Sequence, residues 1–328
     1  MDFTHFFNLH IQIREMLQMD LIFNGENQSY IYTPKNKKTE KMPLLIMLHG
    51  TTQNALSFAG QTKMNDLAEE FGFCVAYIDK SVLNNPSKAF DWITKYEDNK
   101  DIESIEILIE RLKDSYSIDQ EKVYVAGLSA GAALAAILIE KNPNLVNGAA
   151  MIGGLPPDSA SSIREAFKAM KEGSVSEESF IVEDPKIVKK LDILIIHGNE
   201  DNIVNMKNAN INYKAMTKLI DLTQESIEEE TINKTVEVLE NGNIIRTSRT
   251  INGSTVVFEE ISGMGHVWRG GDMAFSYSDE GEENNSFSVS EKIVQFFGLD
   301  EPKKELQLND LKEKNCTIKT IKYRRKIY

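Results

Sequence analysis

The chain has 328 residues, of which 41% are hydrophobic, and a formal net charge of −13. This length is enough for one large α/β domain, alone or with appendages. An acidic surface argues against nucleic acid as a partner, because nucleic-acid binding needs a basic footprint. The two cysteines, Cys74 and Cys316, are too few and too far apart to form a disulfide framework.

The first residues are partly apolar, and we expect 1–24 to form an N-terminal extension. Charged side chains at Arg14, Glu15 and Asp20 interrupt this stretch, which also lacks the basic start and cleavage site of a signal peptide. No window approaches the ~18 apolar residues of a membrane span. We therefore expect a cytoplasmic protein with no membrane span, although secretion by another route stays open.

Apolar runs of strand length alternate with helical segments over the next part of the chain. Strands are predicted at 43–50, 74–79, 122–129, 148–154 and 191–198, and helices at 63–71, 101–116 and 130–141. Near-continuous apolar strands are typical of a parallel sheet covered on both faces. The alternation predicts an α/β fold, with a mostly parallel, doubly wound sheet and helices on both faces.

The main domain is expected to cover 25–300, with an interruption at 222–262. Residues 222–243 are polar and predict a surface excursion, and 244–250 and 254–261 predict a hairpin with Asn-Gly as its turn. The tail at 301–328 has nine Lys or Arg against four Asp or Glu, a net charge of +5. A docking segment for an acidic partner is one interpretation. We favour a solvated extension that packs Leu306, Leu308 and Leu311 on the domain.

The segment GLSAG at 127–131 matches G-x-S-x-G at a predicted strand-to-helix turn. Glycines on both sides relieve the crowding of a sharp turn and leave Ser129 Oγ exposed at the carboxyl edge of the sheet. The N–H of Ala130 opens the helix and points the same way, toward an anion. A junction of small residues with an incidental serine would look similar, but the setting favours a nucleophile.

A serine nucleophile needs a base, and in an α/β-hydrolase the acid and then the histidine follow it in the chain. Two histidines follow Ser129. His197 ends an apolar strand, whereas His266 lies in a glycine-flanked loop and is the predicted base. Glu200 and Asp201, just past a strand end, are both candidates for the acid, and spacing does not separate them.

An oxyanion hole needs a second N–H besides that of Ala130. The loop after the first core strand is the expected source. The segment HGTTQN at 49–54 fills that place, with Thr51 or Thr52 as the donor.

Four segments in this order resemble the polyhydroxybutyrate depolymerase family of esterases, which is similar to the feruloyl and acetylxylan esterases of the first carbohydrate-esterase family. They are PLLIMLHGTTQNALSFAGQTKMNDLAEEFGF, IDQEKVYVAGLSAGAALAA, IIHGNEDNIV and ISGMGHVWRGG. The resemblance runs from about residue 30 to residue 297. It implies an α/β-hydrolase fold and a serine esterase.

The resemblance also implies the roles of particular residues. Ser129 matches the nucleophile, the family's HG-x-x-D selects Asp201 over Glu200, and His266 matches its GHxW. Thr51 stands where the family has a backbone oxyanion donor, usually a cysteine. The family carries no metal or organic cofactor in this chemistry, and the sequence holds no Cys/His metal cluster. The acidic segment 278–285 lacks calcium-loop spacing and is expected to be a solvated turn.

The two tryptophans, Trp92 and Trp268, fall in motifs expected to rim the cleft, where flat rings suit an acyl chain, a hydroxyalkanoate or a phenolic ring. The family's cysteine beside the first tryptophan is replaced by Phe90-Asp91. We expect hydrolysis of short hydroxyalkanoate polyesters or oligomers, with feruloyl or acetylxylan esters as the alternative. An acyltransferase, a peptidase or a non-catalytic binding protein on this scaffold are weaker hypotheses. The sequence does not indicate an oligomeric state.

Overall fold

A computed structural model of the chain tests these expectations. It describes residues 18–24, 27–35, 40–80, 87–174, 190–223, 227–239, 242–272, 287–300 and 318–323. Within these ranges, every helix is too short or too polar to cross a membrane.

Strands of the described chain join into a single sheet of eleven. They are β1 Met19–Asn24, β2 Asn27–Tyr32, β3 Met42–Leu48, β4 Cys74–Asp79, β5 Ile118–Leu128, β6 Gly148–Ile152, β7 Asp192–Gly198, β8 Glu230–Leu239, β9 Gly242–Ile251, β10 Ser254–Ile261 and β11 Ile318–Tyr323. The order across the sheet is β1-β2-β4-β3-β5-β6-β7-β10-β9-β8-β11. The six strands from β4 to β10 in this order are parallel, and the strands at either end pair antiparallel.

The parallel centre of the sheet is buried on both faces. Val125 of β5 lies in register with Ile46 of β3 and Ala149 of β6, and all three belong to one hydrophobic cluster. Their chain neighbours Met47 and Ala126 point to the opposite face and belong to a second cluster. A strand covered on both sides needs apolar residues at every position, so the predicted doubly wound parallel sheet is confirmed.

Seven α-helices of the described chain cover the two faces. They are α1 Ala55–Thr62, α2 Met64–Phe71, α3 Lys100–Ser115, α4 Ala130–Lys141, α5 Ile163–Glu172, α6 Lys207–Leu222 and α7 Val289–Phe296. Apolar side chains of α1, α2 and α7 pack in one cluster, and those of α3 to α6 pack in the other. The predicted helix at 130–141 agrees with α4 at both ends. The helices α1, α5, α6 and α7 were not predicted.

The region before the predicted catalytic histidine adds strands to the sheet. The predicted hairpin is confirmed: β9 and β10 pair antiparallel around a two-residue turn at Asn252-Gly253, with φ angles of 46° and 84°. Positive φ at both turn residues is the reason that Asn-Gly suits this turn. The predicted surface excursion at 222–243 is wrong over most of its length, because α6 extends to Leu222 and β8 pairs along its whole length with β9.

Both predicted appendages contribute strands. The boundary of the N-terminal extension at residue 24 is wrong, because β1 pairs antiparallel with β2 along residues 19–24. In the tail, β11 pairs antiparallel with β8, so 301–328 is not solely a solvated extension. Leu306, Leu308 and Leu311, expected to pack on the domain, lie outside the described residues, as does the acidic segment 278–285.

Candidate active site

Ser129 lies at the sharp turn between β5 and α4. Its backbone has φ 55° and ψ −117°, a conformation that residues with a side chain rarely adopt. The neighbouring chain fixes it there, because the Ser129 N–H donates to Ile152 O at 2.9 Å and the Ser129 carbonyl accepts from the Ala133 N–H at 3.0 Å. The strained turn holds the hydroxyl at the carboxyl edge of the sheet.

The two glycines of the motif are required by close backbone approach. A Cβ on Gly127 would lie 2.4 Å from Gly131 O, and a Cβ on Gly131 would lie 2.2 Å from Leu48 O. No backbone tolerates contacts this short, so neither position has room for a side chain. The prediction that side chains are cleared on both sides of Ser129 is confirmed.

Asp201 and His266 come from loops that follow two adjacent parallel strands, β7 and β10. Asp201 Oδ2 accepts a hydrogen bond from His266 Nδ1 at 2.7 Å. The other oxygen, Oδ1, accepts from the N–H groups of Ile203 and Val204 at 2.9 and 2.7 Å. Glu200 is exposed to solvent. The structure therefore brings Asp201, and not Glu200, to the histidine.

The Asp201 carboxyl group is held in its ionised form. Burial would raise its pKa, but the hydrogen bond and charge of His266, the neighbouring His197 and the Val204 N–H hold the pKa of Asp201 below its usual value. An ionised Asp201 fixes the proton of His266 on Nδ1, which leaves Nε2 as the acceptor nitrogen.

Glycines at two strand ends make room for this pair. A Cβ on Gly198 would lie 1.8 Å from Met264 O, so glycine lets the histidine loop approach the end of β7. Gly153, at φ 57°, packs under the His266 ring, where a Cβ would lie 3.1 Å from both Cε1 and Nδ1. The sequence shows both glycines but not these contacts, which join distant parts of the chain.

His197, the histidine not chosen as the base, lies behind the pair. Its ring is buried, and burial lowers its pKa, so the neutral ring donates from Nε2 to Val204 O at 2.8 Å. The same nitrogen lies 3.3 Å from Asp201 Oδ2. His197 thus packs against the Asp201 loop and supports it.

The loop after β3 borders the same cleft as Ser129. Thr51 and Thr52 both line the cleft, but the Thr52 N–H already donates to Ser87 O at 2.8 Å. Gly50 O accepts from His49 Nδ1 at 2.8 Å and from the Gln53 N–H at 3.2 Å. In a trans peptide the N–H points opposite to the C=O, so these two bonds orient the Thr51 N–H away from His49.

The tautomer of His49 supports this arrangement. The ring is fully buried, and burial lowers its pKa to about 4, so the ring is neutral at pH 7. Because a carbonyl only accepts, the single ring proton lies on Nδ1.

Ala130 supplies the second candidate donor, since its N–H belongs to the first turn of α4 and has no partner within the helix. The oxyanion-hole roles of Thr51 and Ala130 stay a prediction with compatible geometry.

Ser129 and His266 line one cleft of about 750 Å³. Trp92 lines it as well, as the sequence predicts. Trp268 does not, and its predicted place at the rim is wrong. It is 1% exposed, its ring stands edge-on to Phe58, and its Nε1–H donates to Ser290 Oγ at 2.9 Å.

One wall of the cleft is a face of α5 that sequence reasoning missed. Ile163, Ala166, Phe167 and Met170 follow one another at helical spacing, and all four line the cleft. Ile163 and Phe167 are 71% and 63% exposed, and Ile203 beside them is 43% exposed. The spacing was a usable signal for the helix, but only the fold shows that its apolar face points to the cleft.

No group of three or more His, Cys, Asp or Glu side chains that could hold a metal ion occurs among the described residues. Cys74 is buried and is not part of a disulfide within the described residues.

Strand order and site together define the class of protein. A parallel sheet with a serine at a strained strand–helix turn, followed in the chain by an Asp–His pair at later strand ends, is an α/β-hydrolase. Solved structures agree: the acetyl xylan esterase from Aspergillus awamori superposes with a TM-score of 0.61 over 86% of this chain and 99% of that one, at 16% identity. Esterase 2 of Thermogutta terrifontis gives 0.53 over 89% and 96%, also at 16% identity. At this identity the likeness concerns the fold alone.

Within this class, residues 28–235 match the family described as Esterase PHB depolymerase, and the chain belongs to that family. The match includes Ser129 and Asp201 but ends before His266. Among curated relatives, the poly(3-hydroxyalkanoate) depolymerase C of Paucimonas lemoignei is 32% identical over 45% of this chain and 36% of its own. The feruloyl esterase B of Talaromyces funiculosus is 25% identical over 40% and 37%. These matches thus span little more than a third of each relative's length.

Proposed function

We propose that the protein is a carboxylic ester hydrolase that uses Ser129 as nucleophile, His266 as general base and Asp201 as the orienting acid. The observation that carries the proposal is the Asp201–His266 pair at 2.7 Å, together with a strained serine, Ser129, that lines the same cleft as His266. Membership of an esterase family supports it independently.

The reaction follows from the protonation states. His266 Nε2 takes the proton of Ser129 Oγ as the oxygen attacks the ester carbonyl carbon. The tetrahedral intermediate collapses when His266 returns this proton to the departing alcohol. Water then gives a proton to the same nitrogen and attacks the acyl carbon. The bond between this carbon and Ser129 Oγ breaks, and His266 returns the proton to Ser129 Oγ as the acid is released. Asp201 stabilises the imidazolium of His266 in both acylation and deacylation.

Charge that develops on the carbonyl oxygen needs fixed donors. The N–H groups of Thr51 and Ala130 are the proposed pair, and each such donor typically contributes about 10²–10³-fold to kcat. The proposal is supported by the use of the Thr52 N–H elsewhere and by the bonds that orient the Gly50–Thr51 peptide.

For the substrate, we propose short hydroxyalkanoate esters or oligomers. The cleft walls are mainly apolar, and two of the charged side chains in them are already engaged: Lys80 pairs with Asp101, and Asp91 accepts from the N–H groups of Ile93 and Thr94. Sugar esters need convergent polar groups for their hydroxyls. The name of the Paucimonas lemoignei relative points the same way.

The decisive test is hydrolysis of p-nitrophenyl butyrate by the purified chain. Ser129→Ala should lower kcat/KM at least about 10³-fold, because the covalent step is lost. Ser115→Ala is the matched control, since Ser115 is exposed at the end of α3 and does not line the cleft. Equal rates for wild type and Ser129→Ala, above background, would reject the proposal.

The substrate class is tested separately with 3-hydroxybutyrate oligomers, feruloylated sugars and acetylated xylan oligomers. Faster turnover of the hydroxybutyrate oligomers is expected. Preference for the sugar esters would overturn the substrate proposal while leaving the serine mechanism in place, and transfer of the acyl group to added alcohols or amines would identify a transferase.

A further inference from the structure

The wall of the cleft that carries Trp92 is irregular chain. Residues 89–93 line the cleft but belong to no helix or strand. A segment without backbone ladder bonds needs other partners to hold one conformation. The partners of this segment lie on α3, behind the wall.

Asp101, in the first turn of α3, joins three separate segments of the chain. Its carboxylate accepts from the Asp91 N–H at 2.8 Å through Oδ2. Through Oδ1 it pairs with Lys80 Nζ and accepts from Asn27 Nδ2 at 3.4 Å. Its side chain is 1% exposed, and it does not line the cleft, whereas Asn27, Lys80 and Asp91 all do.

A second set of bonds shapes the turn itself. Asn99 Nδ2 donates to Asp91 O at 2.7 Å, while Asn99 Oδ1 caps α3 by accepting from the Asp101 and Ile102 N–H groups. Asp91 in turn accepts from the Ile93 N–H at 3.1 Å, across Trp92. The indole is therefore carried on a turn whose first residue, Asp91, is bonded through its N–H and its carbonyl to the start of a helix.

We propose that Asp101 is a positioning residue that holds the Trp92 wall in the geometry that selects the acyl group of the substrate. It acts through Asp91 and Lys80 and does not touch the substrate. A buried carboxylate with several charge-assisted bonds is rigid, and a wall displaced by about 1 Å can lower turnover of a large substrate by about 10²-fold. A small acyl group does not reach the wall and should not sense the change.

The inference rests on the proposed ester hydrolysis, and the test separates the two. Asp101→Asn is compared with Asp114→Asn, the same substitution at an exposed position of the same helix. The substrates are p-nitrophenyl acetate and p-nitrophenyl 3-phenylpropanoate, with rates expressed per active site titrated by a fluorophosphonate. Fluorescence quenching by acrylamide follows the tryptophans in parallel, and buried Trp268 gives the constant background.

In Asp101→Asn, the ratio of kcat/KM for the phenylpropanoate to that for the acetate should fall about tenfold, and Trp92 should become more accessible to acrylamide. Asp114→Asn should match wild type in both. A merely structural role would reduce titrated sites and leave the ratio unchanged, and an unchanged ratio per active site would overturn the inference.

Asn99→Ser covers the case in which Asp101→Asn does not fold. Serine keeps a capping oxygen for α3 but removes the donor to Asp91 O, so the ratio should fall in the same direction. An unchanged ratio with unchanged quenching overturns the inference here too.

If the wild type itself lacks Ser129-dependent activity, the proposed function fails, while the quenching comparison still decides whether Asp101 holds the wall.

Discussion

At the scale of single residues, the site depends on backbone positions that tolerate no side chain or only a strained one. Ser129 keeps its unusual φ because hydrogen bonds on both sides and two flanking glycines leave it no alternative. Such strain persists only where the surroundings over-determine it. Gly131 is the tighter of the two glycines that flank Ser129, and it touches the chain that leads into the Thr51 loop.

Gly131→Ala tests this coupling. The added methyl would lie 2.2 Å from Leu48 O and 2.7 Å from His49 O, so the end of β3 must move away from α4. We expect a loss of about 1–3 kcal/mol in the free energy of unfolding. Ester turnover should fall at least about 10²-fold, because the two oxyanion donors separate. Urea denaturation and p-nitrophenyl butyrate kinetics measure the two effects.

Gly263→Ala is the control for backbone strain without a clash, because Gly263 has a φ of 69° but its Cβ would meet nothing within 4 Å. The backbone strain of an alanine at this φ should lower the free energy of unfolding of Gly263→Ala, with little change in ester turnover. Wild-type turnover in Gly131→Ala would contradict a shared dependence of the serine turn and the Thr51 loop.

Some residues could be identified from sequence because their signals are local or ordered along the chain. Ser129 carries its glycines with it, and Asp201 and His266 follow in the family's order. Trp268 could not be placed, because its ring turns inward to Phe58 and to Ser290, contacts made with elements far from it in the chain. A motif beside a catalytic residue therefore does not tell which way each side chain points.

At the scale of elements, the pattern of apolar residues predicts the strands and helices that are buried against the core. It does not predict those that are half-exposed. The central strands were identified because every position is apolar. Strand β8 was missed because residues 230–238 are only half-buried or exposed, so its polar sequence resembles a loop. Helix α5 escaped prediction, and only Ala166 and Ala169 of its residues are buried. The other apolar side chains of α5 line the cleft.

Phe167→Ala tests the role of α5. Phe167 is 63% exposed, so its loss should change the free energy of unfolding by less than about 1 kcal/mol. If its ring covers part of an apolar acyl chain, KM for p-nitrophenyl hexanoate should rise about fivefold, the equivalent of about 1 kcal/mol. KM for p-nitrophenyl acetate should not change. Lys168→Ala, exposed on the same helix and outside the cleft lining, is the control, and equal KM values in all three proteins would exclude contact with the chain.

At the scale of the whole molecule, the sheet gathers the site at one edge. Thr51 follows β3, Ser129 follows β5, Asp201 follows β7 and His266 follows β10, and these strands are parallel. Carboxyl ends of parallel strands meet at the same edge, which is why motif order alone could predict the convergence. The contacts that tune the site, such as Gly153 under His266, depend on loop paths that no local pattern encodes.

The same architecture buries an acid that the proposed chemistry does not use. Glu140 lies near the end of α4, is 1% exposed, and neither carboxylate oxygen has a hydrogen-bond partner within the described structure. Lys141 Nζ, at 3.7 Å, is too distant for one. Burial raises the pKa of Glu140 to about 7, against the partial compensation by Lys141. The folded state therefore binds the proton more tightly than the unfolded chain does.

This difference predicts how stability depends on pH. Because the folded pKa lies above the unfolded value of about 4.5, the contribution of Glu140 is complete below that pH and is lost as pH rises toward 7. The slope is at most about 1.4 kcal/mol per pH unit. Glu140→Gln cannot ionise, so it should remove this slope and gain about 1–3 kcal/mol in the free energy of unfolding over wild type at pH 8.

Urea denaturation at pH 5, 6.5 and 8 measures both effects. Glu121→Gln, at an exposed position, should follow wild type at all three. Parallel stability curves for Glu140→Gln and wild type would mean that Glu140 meets water in the folded protein.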